Sequence, residues 1–164
     1  MSTETTTKNA LLVVVRIRSS IGLRREVKET LTILNLSRVN HAIVIDNRDS
    51  YRGMLQTAKD ALTWGEIDAP TFTRLLRKRG RLTGNKHLTD EYIAKKTAYK
   101  SIDEYAAALV ALKENLSTLP KLKKVFRLHP PSKGYQGSIK RTFQQKGELG
   151  YRGTEINSLV QRMS

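Results

Sequence analysis

In the first 65 residues the spacing of apolar side chains alternates between two periods, and this alternation constrains the fold more than any other feature of the chain. Residues 11–18 are rich in β-branched side chains, with one apolar face and a second face that becomes basic at Arg16 and Arg18. Such a segment predicts a strand, whereas apolar residues that recur every three or four positions predict an amphipathic helix. The predicted order is therefore β-α-β-α, with a strand over 11–18, a helix over 23–34, a strand over 41–46 and a helix that begins at Asp49 or Ser50 and ends at Gly65.

After residue 65 the chain first becomes helical and basic and then irregular. Pro70 suits the first turn of a helix, where its missing N–H is not needed. Ser101 and Glu104 have the spacing of a capping box, which predicts the start of another helix. The further predictions are a helix that starts at Thr89, a third strand of the same sheet over 121–128, a Gly- and Lys-rich loop with little structure of its own over 129–153, and a last helix capped by Thr154.

The positive charge of the chain is concentrated in two blocks. There are 30 Lys and Arg against 15 Asp and Glu, which is a net charge of +15. Residues 1–68 carry only +2 and residues 101–120 carry −2, whereas residues 69–100 carry +7 and residues 121–164 carry +8. Because charge at this density repels itself, a polyanionic partner is expected, and nucleic acid, an anionic membrane surface and an acidic protein all remain candidates.

The length of 164 residues suits one domain. The longest apolar run, residues 10–15, is far too short to span a bilayer, so we expect a soluble, intracellular protein without a membrane segment. We divide the chain into a disordered tail over 1–9, a β-α-β-α core over 10–65, a helical insertion over 66–120, and a C-terminal part over 121–164 with the third strand, the basic loop and the last helix.

No pattern of residues indicates catalysis. The three His lie in different predicted elements, and the chain has no Cys to complete a zinc site. There is neither a Gly-rich phosphate loop nor a nucleophile elbow. We therefore predict no enzyme activity, no cofactor, no metal and no small-molecule substrate.

Three segments indicate binding instead. Residues 77–81 place four cations within five residues at the end of a helix, which suits phosphate contact, although a solvated helix end is the alternative. The loop over 127–152 interleaves cations with glycines, which allow close approach, and with aromatics, which can stack on unpaired bases. Gly53 follows Arg52 inside a predicted helix at a cost of about 1 kcal/mol relative to Ala. This cost indicates that another backbone, of protein or RNA, approaches closely there.

Several short motifs occur in an order that resembles a known family. Four of them lie in the predicted core, namely Ser20-Ile21-Gly22, Thr30-Leu31-x-x-Leu34-x-Leu36, Arg38-x-Asn40-His41 and Arg52-Gly53-Met54-Leu55. Others continue to the end of the chain, namely Trp64-Gly65, Arg77-Lys78-Arg79-Gly80, Leu88-Thr89-Asp90, Phe126-Arg127-Leu128, Pro130-Pro131-Ser132-Lys133-Gly134 and Ile156-x-x-Leu159-Val160-x-Arg162-Met163. Together they resemble the L-thirty family of ribosomal large-subunit proteins, whose eukaryotic member is L-seven. The short tail, in which Glu4 and Lys8 balance, resembles the archaeal type.

The resemblance implies an α+β fold. Its core would be ferredoxin-like, with a three-stranded antiparallel sheet and two helices on one face, extended by a helical insertion and a basic C-terminal extension. It also implies a structural, non-catalytic role in the ribosome, in the cytoplasm. The implied partners are large-subunit ribosomal RNA, the 5S ribosomal RNA that lies nearby at the central protuberance, and neighbouring ribosomal proteins.

Contacts with RNA are expected mainly at phosphate and sugar, because Lys and Arg supply affinity that does not depend on sequence. A sequence-specific DNA-binding module would need a recognition helix with polar, base-reading side chains. An RNA-processing enzyme would need a nucleophile or an acid–base pair. The candidate RNA-binding residues are Arg16, Arg18, Arg24, Arg25, Arg52, Arg77, Lys78, Arg79, Arg81, Arg127, His129, Lys133, Tyr135, Lys140, Arg141, Lys146, Tyr151 and Arg152.

Overall fold

The computed structural model describes residues 10–114 and 118–164, which form a mixed α+β structure. The tail predicted over 1–9 lies outside the described residues. The elements in chain order are β1 (Leu11–Arg16), α1 (Arg25–Ile33), β2 (His41–Asp46), α2 (Asp49–Thr57), β3 (Leu62–Glu66), α3 (Ala69–Arg79), α4 (Asp90–Lys96), α5 (Ile102–Val110), β4 (Val125–Arg127), β5 (Ser138–Thr142), β6 (Gly147–Tyr151) and α6 (Ile156–Met163).

The main sheet has six strands in the order β4-β2-β1-β3-β6-β5. β1 pairs antiparallel with β2 on one side and with β3 on the other, so that Val13 lies opposite both Val44 and Gly65. β4 extends the β2 edge antiparallel, whereas β6 adds parallel to β3 and β5 lies outermost. The α+β class is confirmed, but the sheet has six strands rather than three.

Helices cover both faces of this sheet. Val13 and Val15 pack into a cluster with α3, α5 and α6, while Leu12 and Val14 pack into a second cluster with α1 and α2. Every residue of β1 is buried, as expected for a strand covered on both sides. The prediction that Arg16 lies on an accessible basic face of this strand is therefore wrong, because Arg16 is only 3% exposed. None of the helices in the described ranges is long and apolar enough to cross a membrane.

The third strand of the chain lies elsewhere than predicted. α2 ends at Thr57, and residues 62–66, which were predicted to complete that helix, form β3 beside β1. The prediction failed because Leu62 packs into the same cluster as Leu55 and Ala58, so that an apolar stripe continues from the helix into the strand. The strand predicted over 121–128 shrinks to the three residues of β4, at the edge of the sheet.

The segment predicted as an irregular loop over 129–153 is also partly regular. It contains β5, a short 3₁₀ turn over Phe143–Gln145, and β6. β6 joins the sheet by pairing Trp64 with Tyr151, and Leu149 is buried in the process. This pairing joins residues far apart in the chain, and no alternation of apolar residues in the segment indicates it.

The predicted helix starts have different outcomes. The Thr89 hydroxyl accepts a backbone N–H of the first turn of α4 at 3.4 Å, and the Ser101 hydroxyl accepts the N–H of Glu104 at 3.3 Å, so both caps are confirmed. Thr154 does not cap the last helix, because it lies in a 3₁₀ turn over Gly153–Glu155 that leads into α6.

Gly65 lets β3 pack directly against this 3₁₀ turn. A Cβ at Gly65 would lie 1.9 Å from the carbonyl oxygen of Gly153 and 3.0 Å from the side chain of Ile156. The glycine is thus required by close packing between the sheet and the start of α6.

We predict that Gly65→Ala lowers the free energy of unfolding by about 3 kcal/mol, because β3 and the turn must separate to admit the methyl group. Urea unfolding of the purified protein measures the change. Gly53→Ala is the matched control, since a Cβ there meets nothing within 4 Å. A Gly65→Ala variant as stable as the parent would contradict the packing argument.

Candidate nucleic-acid interface

Cations from several chain segments meet at one end of the sheet, which we call the basic end. It comprises the end of β1, the start of α1, the turn before β2, the end of β4 and the segment that follows β4. Backbone hydrogen bonds join these segments. Arg127 of β4 lies opposite His41 of β2 in the strand register, and the N–H of Leu128 donates to the carbonyl of Asn40 at 3.0 Å. The accessible side chains of the basic end are the exposed Arg24, Arg25, Arg38, Arg127, His129 and Lys133 and the half-buried Arg18 and Tyr135.

Arg16 stabilises this end from the inside. Its guanidinium donates to the carbonyl of Leu36 at 2.6 Å and to that of Arg18 at 2.9 Å, while its own carbonyl accepts the N–H of Asn40 at 2.8 Å. Burial lowers the pKa of the guanidinium from its ordinary value, but arginine keeps its proton in proteins. The structure therefore places Arg16 as an internal tie between β1 and the turn before β2, away from any RNA-facing surface.

A buried ion pair lies beside the basic end. The Glu148 carboxylate and the Arg152 guanidinium are 2.5 Å apart, and both side chains are almost fully buried. Arg152 also donates to the hydroxyl of Thr63 at 2.9 Å and lies 4.9 Å from the centre of the Phe143 ring. These contacts occupy Arg152 inside the protein, so the structure does not present it to RNA.

The second carboxylate oxygen of Glu148 holds the loop that leads into β5. It accepts two successive backbone N–H groups of residues 136–137, at 3.0 and 2.8 Å. At the start of the loop the N–H of Ser132 donates to the carbonyl of Arg162 at 3.0 Å, and the Arg162 guanidinium donates to the carbonyl of Gly134 at 3.1 Å. The part of the basic loop before β5, residues 132–137, is thus tied to β6 at one end and to α6 at the other.

His41 is the titratable group most affected by the charge of this end. Its Nδ1 atom is buried and has no hydrogen-bond partner among the residues that the structure describes. Burial lowers the pKa of His41, and the positive charges of Arg127, Arg38 and Arg16 lower it further. Since the ordinary value is about 6.5, the imidazole is neutral at pH 7 in the RNA-free protein.

The two basic blocks of the sequence come together at a second surface. Leu82 forms an isolated bridge with Leu122, and two backbone hydrogen bonds of 2.9 Å flank this bridge. The turn over 83–86, whose side chains are exposed, and the exposed Lys121 lie at this junction. The middle of the +7 block, at residues 81–83, therefore contacts the start of the +8 block, although they lie about forty residues apart in the sequence.

The cation run over 77–81 is divided by the fold. Arg77 pairs with Asp103 at 2.7 Å, and because both side chains are about half exposed the pair is weak. Arg79 and Arg81 are half-buried against the protein, whereas Lys78 is exposed. The remaining predicted cations, Lys140, Arg141 and Lys146, lie exposed on and after β5, at the opposite edge of the sheet from β4.

A cavity of about 450 Å³ lies between α2 and the strands β3 and β6. Arg52 and Gly53 of α2, Trp64 of β3 and Tyr151 of β6 line it. The Tyr151 hydroxyl donates to the carboxylate of Glu66 at 2.7 Å. A Cβ on Gly53 would meet nothing within 4 Å, so no neighbouring backbone among residues 10–114 and 118–164 explains this glycine, and the alternative of an approaching RNA remains.

The eighteen predicted residues thus separate into distinct groups. Arg16 and Arg152 are internal, and the other sixteen lie at the basic end, at the end of α3, along β5 and at the cavity. Sequence reasoning missed Arg38, Glu148 and Trp64. Arg38 had a usable signal, because the turn before β2 must return to the end of the sheet where β1 finishes. Glu148 had none, since only the parallel pairing of β6 buries it.

No group of three or more His, Asp or Glu side chains is placed to hold a metal ion within residues 10–114 and 118–164.

Comparison with known proteins finds one matching family and several similar relatives. Residues 12–62, from β1 to the start of β3, match the family described as ribosomal protein L30p/L7e. Three archaeal relatives carry the name large ribosomal subunit protein uL30. That of Archaeoglobus fulgidus is 51% identical over 93% of this chain and 99% of its own. That of Methanocorpusculum labreanum is 48% identical over 92% and 97%, and that of Thermofilum pendens is 48% identical over 94% and 99%.

We predict that the RNA-free protein loses stability as the pH falls below about 6.5. The lowered pKa of His41 means that the unfolded chain takes up a proton in this window and the folded protein does not. The stability contributed by neutral His41 is fully present above about pH 6.5. It is lost as the pH falls from there toward the lowered pKa that His41 has in the folded protein. Urea unfolding at a series of pH values measures it.

The control for this prediction is the exposed His129. His41→Asn should flatten the pH dependence in this window, whereas His129→Asn should leave it as in the parent. Identical pH profiles for the parent and His41→Asn would refute the role of His41.

We predict that Glu148→Gln destabilises the protein by about 3–5 kcal/mol, because it leaves the buried Arg152 charge without its partner. Hydrogen exchange at residues 136–137 should accelerate as well, since their acceptor weakens. The matched control is Glu29→Gln, which breaks the exposed Arg25–Glu29 pair and should cost less than about 1 kcal/mol. Equal effects of the two substitutions would rule out the anchoring role of Glu148.

Proposed function

The chain belongs to the ribosomal protein L30p/L7e family, and on this premise we propose that it acts in the large ribosomal subunit as a structural protein that binds ribosomal RNA. Family membership makes it a ribosomal protein and not an enzyme. The observation that carries the proposal is the basic end, where cations from separate segments share one ordered surface. Its place of action is then the ribosome, in the cytoplasm, with neighbouring ribosomal proteins as further partners.

The electrostatics of the basic end support binding to a polyanion. The Glu148 carboxylate, which binds the segment before β5, is compensated internally by Arg152 and by two backbone N–H groups. It therefore repels an approaching phosphate less than a free carboxylate would. The accessible cations are mostly arginines, whose planar forks can each engage a phosphate by two hydrogen bonds.

The start of α1 adds a second favourable feature. Its N-cap is Arg24, which makes no side-chain capping bond. The first-turn N–H groups and the positive end of the helix dipole lie beside the exposed cations Arg24 and Arg25, which outnumber the one carboxylate of that turn, Glu26. This combination favours a phosphate at that position.

The hydrogen bonds of the basic loop support binding to folded RNA by a preformed surface. The loop is tied to Glu148 and to Arg162 before any partner arrives. Less ordering is then required on binding, so that more of the contact free energy appears as affinity.

One alternative function is less well supported, and one choice of ligand is left to the test. A sequence-specific DNA-binding module would present a helix with base-reading side chains, whereas the cations of the basic end and of β5 lie mainly at strand ends, at a helix start, in turns and on the edge strand. The choice between large-subunit ribosomal RNA and 5S ribosomal RNA as the first contact rests on the family resemblance, so both RNAs belong in the test.

We predict that the protein binds large-subunit ribosomal RNA with an affinity that falls steeply with salt. The double variant Arg127→Gln/Lys133→Gln should weaken binding and reduce the slope of log K against log salt by about 2, or about 1 for each lost phosphate contact. Filter binding at several salt concentrations measures both quantities, with 5S ribosomal RNA and a DNA duplex as parallel ligands.

The matched control is Lys95→Gln/Lys96→Gln, which removes the same charge from exposed positions of α4. It should change the slope much less than the first variant. Equal slopes for the two double variants would show that net charge alone drives binding, and a preference for the DNA duplex would reject the proposed function.

A further inference from the structure

We propose that the cavity between α2, β3 and β6 holds one unpaired base of the bound RNA, stacked on Trp64. This inference rests on the proposed function and extends it to a site about one nucleoside in size. At about 450 Å³ the cavity falls within the range of ordinary ligand pockets.

Two aromatic side chains supply the stacking surface. Trp64 and Tyr151 are paired across the β3–β6 register, so their rings project from the same face of the sheet, and both are half-buried. The hydrogen bond from the Tyr151 hydroxyl to Glu66 holds the Tyr151 ring in place. Aromatic rings of this kind stack on any base, because every base has a π-face.

Gly53 gives the RNA access to this surface. It lies inside α2, where glycine weakens a helix, and its backbone conformation does not require glycine. Apart from its own helix, no atom in the described part of the chain lies within 4 Å of a Cβ built there, and yet the residue lines the cavity. A helix that omits a side chain at the mouth of an aromatic cavity leaves room for a group from outside the protein.

The polar residues of the cavity suit a nucleotide. Arg52 is 43% exposed and pairs with Asp49 at 3.7 Å, but the Asp49 side chain is fully exposed, so a phosphate can replace it at low cost. Gln56 also lines the cavity and carries both a donor and an acceptor for the edge of a base. The carboxylate of Glu66 is already hydrogen-bonded to Tyr151.

Trp64 is the only tryptophan of the chain, which makes the proposal directly observable. Titration of the full-length protein with a transcript of the large-subunit ribosomal RNA should quench Trp64 emission, because a stacked base quenches indole fluorescence. Gly53→Leu, which fills the mouth of the cavity, should abolish the quenching and reduce the affinity in filter binding by about tenfold. Ser50→Leu adds the same side chain to an exposed position of α2 outside the cavity and should do neither.

Gly53→Ala separates binding from folding. It should raise the melting temperature by about 2–4 °C, because alanine favours the helix, and at the same time weaken RNA binding. Quenching in the parent together with weaker binding by both Gly53 variants supports the inference. If Trp64 emission does not change on binding, or if Gly53→Leu binds RNA as tightly as the parent, the inference is overturned. In either case the proposed function stands, provided that the parent protein binds the RNA. Failure of the parent protein to bind the transcript overturns both.

Discussion

The burial of β1 on both faces is the constraint on which the rest of the structure depends. Leu12 and Val14 contact one layer of helices and Val13 and Val15 the other. Each fully buried aliphatic side chain contributes about 1.5–3 kcal/mol, so neither layer can be removed without exposing half of the strand. The residues beyond the predicted core are for this reason not an appendage. α3, α5 and α6 form the second layer that the central strand requires.

A sheet covered on both faces offers its strands for binding mainly at its ends and edges. Many of the accessible cations accordingly lie where strands start and stop, along β5 and at the junction of the two basic blocks. Two arginines that do enter the interior, Arg16 and Arg152, hold carbonyl oxygens or a carboxylate there. The positive charge of the chain therefore has two roles. Many cations lie on the proposed binding surfaces, and these two hold together the segments that carry them.

The buried Glu148–Arg152 pair connects folding with the proposed binding of RNA. A buried charge pair contributes little net stability in general, but removal of one partner is costly. Here the same carboxylate also binds the loop that carries Lys133. The position of this loop is consequently set by a carboxylate more than ten residues away in the sequence. A single acid within a basic, Gly-rich segment gives no sign of this role.

The sequence by itself determined the α+β class, the β-α-β-α start, the caps at Thr89 and Ser101, the family and the two basic blocks, because periodicity, capping and charge are local properties. Only the tertiary structure decided that Leu62–Glu66 is a strand and that residues 129–153 contribute β6, since these assignments follow from pairing with distant residues. The same holds for the candidate sites. Charge alone could not separate the buried Arg16 from the exposed Arg127, and Trp64 became a candidate only when β6 and α2 enclosed a cavity beside it.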